Sequence, residues 1–296
     1  MARVGQLDFQ GWLAERQTVA SAGEEGGEHA YAYVSDRQTR AAFEQVKPVQ
    51  LAVEAVVRMF KAVGKNELLG TSVKVGPRQF PRVHGLVESC ARSLGIATPT
   101  IYITNNPVLN AGTYGTNDDS FILVHSALVD HMSDEELTSV LGHECGHIHN
   151  SHVVYLTTLY FLTHAAGLFV RWIVTPALVG LKAWSRRAEI TCDRASLLCV
   201  QQPEVSTRAL TKLALGSRKL YDDLNLDAFL EQYEESRQGP GRYNEAFATH
   251  PWLPKRVLAM RVFEQSRLYR KRAGLGDDGL GMEEVDAKVH EIVKVV

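Results

Sequence analysis

His143-Glu144-Cys145-Gly146-His147 is the stretch from which the rest of the chain is read. Two histidines four positions apart on a helix project from one face, because four residues make just over one 3.6-residue turn. A zinc ion needs imidazole nitrogens converging from one side, and this spacing supplies two. Glu144 lies beside that line, where it can reach a water at the metal without ligating. H-E-x-x-H on a helix therefore points to zinc-dependent hydrolysis with Glu144 as general base.

The helix that carries the motif has a legible start. Ser133 and Glu136 form the S-x-x-E pattern of a capping box. Leu137, Val140, Leu141 and Ile148 then supply an apolar stripe for the core side. A catalytic zinc takes three protein ligands and leaves a fourth position open. The metzincin extension would place glycine at 150 and histidine at 153, where the chain has Asn150 and Val153. His149 is expected to face away from the ligand edge, and His152 to lie too far round the same helix to share the ion. Both read as surface residues or as outer partners of the ligands. Glu189 is the candidate third ligand, because Asp193 follows one turn later on the same face. That second carboxylate can accept the free N–H of a ligand histidine and hold its tautomer. An exposed acidic face is the plain alternative for E-x-x-x-D, and it loses here beside H-E-x-x-H inside an apolar helix.

Upstream of this helix lie signals for a small sheet. Thr100–Thr104 and Phe121–His125 are rich in β-branched and aromatic residues. Between them Val108–Tyr114 reads either as an edge strand able to pair with an extended peptide or as a plain hairpin connection. Helices are expected over Phe43–Val63 and over Val83–Leu94, the latter closed by Gly95, with loop or extended chain from Gly70 to Pro81. The opening residues hold a short amphipathic stretch around Phe9, Trp12 and Leu13, followed by a Gly/Glu-rich break at 22–29 that reads as mobile. Beyond the motif, helices are expected over Ala183–Gln201, Val205–Leu224, Leu226–Ser236 and Pro254–Arg272. The division expected is an N-terminal segment 1–45, a catalytic domain 46–272 and a tail 273–296.

Val153–Leu181 is strongly apolar, with Arg171 its one full charge. As helix it could approach the thickness of a bilayer core, about 30 Å. If Glu189 completes the site, however, the chain must return to the side it left at His147. A single crossing would separate the ligands, and two crossings need roughly 40 residues plus a turn. Only 41 residues stand between His147 and Glu189, interrupted by Arg171 and Pro176. The expectation is a buried helical hairpin, or an apolar surface lying on a membrane or partner.

Composition narrows the class. The chain has 296 residues, 45% hydrophobic and 22% charged, with a formal net charge of −2. That balance exerts no general pull on nucleic acid. Four cysteines (Cys90, Cys145, Cys192, Cys199) in a chain of this length do not make a disulfide framework, and Cys145 and Cys192 read as small buried apolar groups rather than a redox pair. The first residues lack the apolar run of a signal peptide, so a cytoplasmic protein with reduced thiols is expected.

Taken in order, ITNNPVLNAGTYG, HMSDEELTSVLGHECGHIHNSH, SRRAEITCDRAS and THPWLPKR resemble the HtpX/CaaX-protease/Oma-like zinc metallopeptidases of the gluzincin clan, peptidase family forty-eight. The resemblance runs from about Pro77 to Leu268. It implies one zinc ion held by His143, His147 and Glu189, with Glu144 as base and Asp193 as the partner behind a ligand. It implies that Asn110 and Ala111, with Gly112 following, belong to the strand at the upper rim of a substrate cleft. His250 and Arg256 match an element placed near the active site, where His250 could steady an oxyanion. Well-known members span the membrane twice between H-E-x-x-H and the ligand glutamate; this insert is shorter, so a compact member is expected. The reading is an α+β, mostly α-helical gluzincin fold and a zinc endopeptidase acting on protein or peptide. The rival readings are a latent zinc scaffold plugged by the N-terminal segment or the tail 274–296, and a membrane-surface interaction protein using 153–181.

Overall fold

The computed structural model describes residues 29–43, 70–164, 168–217, 223–236 and 248–294, together with 45, 51, 53–56, 220, 221 and 245. The expected helix around Phe9–Leu13, the break at 22–29 and most of the expected Phe43–Val63 helix lie outside these residues. The fold is α+β and mostly helical, with a small sheet beside two long packed helices.

A first helix, α1 (Val34–Phe43), precedes a short strand β1 (Ser72–Lys74), which occupies part of the stretch expected as loop or extended chain. Helix α2 (Pro81–Leu94) begins on a proline, whose missing N–H costs nothing in the first turn. It ends at Gly95, whose φ of 71° lets its N–H turn back to the carbonyls of Ala91 and Arg92. Strands β2 (Thr100–Thr104), β3 (Ala111–Gly115) and β4 (Ser120–His125) complete a four-stranded sheet in the order β1-β2-β4-β3. β2 and β4 run parallel, and β3 pairs antiparallel with β4 from Ala111↔Val124 to Gly115↔Ser120. β3 is thus an edge strand among the described residues, joined to β4 as a hairpin, which is compatible with both readings of that segment. Ile101, Ile122 and Val124 bury one face of the sheet in the main core. Tyr102 and Phe121 pack on the other face with their rings edge to face.

A short helix α3 (Ser126–His131) leads into α4 (Asp134–His149), which carries H-E-x-x-H. The capping box is complete: Ser133 Oγ accepts from the Glu136 N–H, and Glu136 Oε2 accepts from the Ser133 N–H. Glu136 also holds the buried Lys212 ammonium at 2.7 Å, so the cap ties α4 to α7 (Pro203–Leu215). Leu137 and Leu141 are fully buried and Val140 nearly so, while Ile148 lies at the margin of the core.

The apolar stretch folds as a hairpin of α5 (Val153–His164) and α6 (Leu168–Val200). The helix expected from Ala183 is the second half of α6, which continues past position 176. Val154, Tyr155 and Leu159 of α5 share a second apolar cluster with Phe43, Leu181, Trp184 and Ala188. Among the described residues no helix is long and apolar enough to cross a membrane.

α4 and α6 lie backbone to backbone along a seam of small residues. A Cβ on Gly146 would stand 2.7 Å from Ala195 Cβ and 3.1 Å from Cys192 Cα; one on Gly142 would stand 2.9 Å from Cys199 Cβ. Ser139 and Ser196 meet across the same seam with hydroxyls 2.7 Å apart. This closeness lets histidines on one helix reach carboxylates on the other. Gly146→Val is therefore expected to force the helices apart, lowering stability by about 1–3 kcal/mol. Thermal unfolding of the variant, with its zinc content measured alongside, checks this.

Downstream, α7 stops at Leu215 with Gly216 as its cap, earlier than the expected Leu224. α8 (Leu226–Ser236) has the expected bounds. The single helix expected over Pro254–Arg272 is two, α9 (Leu253–Phe263) and α10 (Arg267–Arg272), because the Ser266 hydroxyl accepts from the Tyr269 N–H and starts a new helix. In the tail, α11 (Met282–Val293) buries Val285 and Val289 in the main core, and Tyr31 and Tyr33 enter the same core. Arg194 of α6 fastens both ends, donating to the Tyr31 carbonyl and pairing with Asp286 of α11 at 2.7 Å.

Candidate metal centre and cleft

Across the α4–α6 seam the predicted ligands converge. His143 Nε2 stands 3.5 Å from Glu189 Oε2, and His147 Nε2 stands 3.5 Å from Glu189 Oε1. Ligand bonds of 2.0–2.2 Å meeting at a tetrahedral angle put donor atoms about 3.3–3.6 Å apart, a spacing that each histidine–carboxylate pair matches. Behind them the other ring nitrogen of His143 is engaged: Nδ1 lies 3.1 Å from Asp193 Oδ1. Arg256 grips Asp193 through Nε at 2.9 Å and Nη2 at 2.6 Å, and reaches Glu189 through Nη1 at 3.1 Å. His250 Nδ1 lies 2.9 Å from Glu189 Oε2, on a largely exposed side chain at the rim.

The charges are strongly coupled. Burial pushes the Glu189 carboxyl up, but His250, Arg256 and His143 outweigh it and hold it well below the usual carboxylate range. Asp193 is likewise lowered, burial being outweighed by Arg256 and His143. Burial opposes charge on His143, yet Glu189 and Asp193 push it up to about 10. A metal ion held by His143 would compete with that proton, so its affinity would fall as pH falls. Arg256→Ala would leave two buried carboxylates without their counter-charge. The expected result is a destabilisation of about 3–5 kcal/mol and a loss of zinc affinity of about 10–100-fold, read by thermal unfolding and chelator competition.

Another donor stands near. His143, His147 and Cys192 also offer ligand atoms within 4.8 Å of one another. Cys192 Sγ, however, lies 3.2 Å from His147 Nδ1, the ring nitrogen turned away from Glu189. Its thiol is fully buried and is raised well above the usual thiol range by burial, with Glu189 and Asp36 adding to the effect. Glu189 lines the cleft and Cys192 does not.

The centre forms the floor of a cleft of about 560 Å³. The cleft is lined by Asn110, Ala111 and Gly112 at the β3 edge, by Leu210 and Leu213 of α7 and by Tyr160 of α5. Glu144 lies at the floor, and Thr113 Oγ1 donates to its Oε2 at 2.6 Å. Thr113 went unremarked in the sequence, although the alternation along AGTYG places it on the inward face of β3. Gly115 N–H donates to Thr157 Oγ1 and ties that strand to α5. Tyr114 borders the same space, its hydroxyl pushed up to about 12 by burial with Glu144 adding, so it stays protonated. No described residue of 29–43 or 274–294 lines the cleft.

His149 and His152 are neither surface residues nor ligands to the same point. His149 is buried, with Tyr31 OH 2.9 Å from its Nδ1. α4 ends at His149, and a turn through Asn150 and Ser151, the latter at φ 59°, swings His152 back against His147. The four cysteines are free thiols.

A glutamate helix laid against an H-E-x-x-H helix, below a free strand edge, is the architecture of the zincin metallopeptidases. The chain belongs to peptidase family M48, whose sequence profile matches residues 77–263. It is 40% identical over 181 residues to the plastoglobule-localized metallopeptidase 48 of Arabidopsis thaliana chloroplasts, a match covering 59% of this chain and 53% of that protein. The chain thus spans about half the length of this relative. It is 26% identical to a protease HtpX homolog of Moorella thermoacetica, over 67% of this chain and 77% of that one. A protease HtpX homolog of Halobacterium salinarum is 29% identical over 53% of this chain and 67% of its own length. No solved structure matches the chain.

Proposed function

We propose that the chain is a zinc-dependent endopeptidase in which His143, His147 and Glu189 hold one zinc ion and Glu144 is the general base. The observation that carries this is the meeting of both Nε2 atoms with the Glu189 carboxylate at 3.5 Å on a cleft floor shared with Glu144. Zinc bound there supplies polarisation of the scissile carbonyl and acidification of the nucleophilic water toward a pKa of about 7.

The chain's own residues do the rest. The free edge of β3 at Asn110–Gly112 can hydrogen-bond an extended peptide as an added strand, laying its carbonyl over the floor. Glu144 takes the proton of the attacking water and passes it to the leaving amine. The Thr113 hydroxyl, donating to Oε2, turns the Glu144 carboxylate toward the substrate side and leaves Oε1 to move the proton. His250 at the rim can donate to the oxygen on which charge develops. The apolar lining residues Leu210 and Leu213 favour peptides with apolar side chains flanking the scissile bond. Metal content measured beside cleavage of a peptide library, for the wild type and for Glu144→Gln, tests the reading. A protein without zinc, or a variant as active as the wild type, overturns it.

A further inference from the structure

A buried chain of hydrogen-bonding groups runs from the proposed ligand His147 to an acid near the N-terminus. His147 Nδ1 lies 3.2 Å from His152 Nδ1, and His152 Nε2 lies 3.0 Å from Asp36 Oδ2. The second contact is short but bent, leaving the His152 nitrogen without a well-aligned acceptor. His152 and Asp36 are almost wholly buried, where a neutral imidazole costs less than a cation. Asp36 sits on α1, 111 positions before His147. Its Oδ1 accepts from Trp184 Nε1 at 2.8 Å, and its Oδ2 accepts from the Thr191 hydroxyl at 2.6 Å.

We propose that Asp36 and His152 are positioning residues that set the tautomer of His147 and aim its Nε2 lone pair at the metal, a role that rests on the zinc site proposed above. The argument is one of donors and acceptors. An ionised carboxylate only accepts, so the proton of neutral His152 belongs on Nε2, facing Asp36. His152 Nδ1 is then a bare lone pair, and the 3.2 Å contact is a hydrogen bond only if His147 carries its proton on Nδ1. His147 Nε2 is consequently bare and faces Glu189. Cys192 Sγ lies 3.2 Å from the same Nδ1 and 3.7 Å from His152 Nδ1, so its thiol can accept from His147 Nδ1–H while its S–H donates to the bare His152 Nδ1, which agrees with the assignment. Asp193 does for His143 directly what Asp36 does for His147 through His152. Partners of this kind fix ring orientation and ligand basicity.

Asp36→Asn tests this with little change of shape. Trp184 Nε1–H is always a donor and keeps the amide oxygen, so the amide NH2 faces His152 Nε2. The protons then shift along the chain: His152 holds its own on Nδ1, and His147 is driven to carry its proton on Nε2, where the metal should bind. Zinc affinity by chelator competition is expected to fall about 10–100-fold. Adding Trp184→Phe frees the amide to turn, and the double variant is expected to regain most of that loss. A role confined to holding α1 in place would make the double variant worse. Nitrogen NMR of the metal-free wild type should show His147 protonated on Nδ1 and His152 on Nε2. The opposite tautomers, an Asp36→Asn variant with wild-type affinity, or no recovery in the double variant would each overturn the proposal. A wild type that binds no zinc, or a His143→Ala variant that binds it fully, would instead refute the zinc site itself.

Discussion

Glu144→Gln is expected to keep one zinc ion per chain and to lose about 10²–10⁴ in the rate of peptide cleavage. The side chain is nearly isosteric, and its Oε2 position can still accept from the Thr113 hydroxyl, which lies 2.6 Å away. What disappears is the ability to hold a proton between the attack on the carbonyl and the departure of the amine. The effect therefore falls on turnover rather than on metal or substrate binding. Metal analysis of the purified variant and steady-state kinetics on a cleavable peptide separate the two. His143→Ala is the complementary case, in which the zinc itself goes and activity goes with it. Equal cleavage by Glu144→Gln and the wild type would remove Glu144 as base and leave the site without one.

The second large effect separates the two donor sets around the histidines. Glu189→Ala is expected to abolish tight zinc binding, a loss exceeding the ~10–100-fold cost of deleting an outer partner. Cys192→Ala is expected to leave zinc affinity within a few-fold of the wild type. Glu189 lies between the two Nε2 atoms and opens on the cleft, whereas Cys192 lies behind His147, fully buried. Chelator competition on both variants gives the answer. Retention of zinc by Glu189→Ala together with its loss in Cys192→Ala would move the centre to the thiol side. Glu189→Ala also strips Arg256 and His250 of a partner, so the metal-free stability of the variant must be measured beside its affinity.

Much of the site was legible because its residues stand at local spacings. The capping box at Ser133 and Glu136, the two histidines one turn apart and the Glu189–Asp193 pair each depend only on the geometry of one helix. The strand at Thr100–Thr104 and the glycine stop at Gly95 were read the same way, from β-branched side chains and from a left-handed cap. The break between α9 and α10 was missed because apolar periodicity continues across it, while the decisive event is one Ser266 hydroxyl capping Tyr269. Thr113 was overlooked because a threonine in a strand is ordinary until its neighbour is Glu144. His152 was read as continuing the motif helix, whereas that helix ends at His149 and a turn brings the ring back against His147.

The sequence by itself pointed to the proposed donor set, since ligand spacing is a property of a helix turn and the chemistry of zinc limits the residue types. It also limited the apolar stretch, because a chain leaving at His147 and returning at Glu189 in 41 residues has little room to cross a bilayer twice. Only the tertiary structure decided how closely the two helices meet, through the seam at Gly142 and Gly146, whose missing side chains matter only against Cys199 and Ala195. It likewise decided that β3 is an edge strand and that Asp36, remote in the chain, stands behind His152. Those relations join residues tens to more than a hundred positions apart, and no local periodicity encodes a contact that exists only once the core has closed.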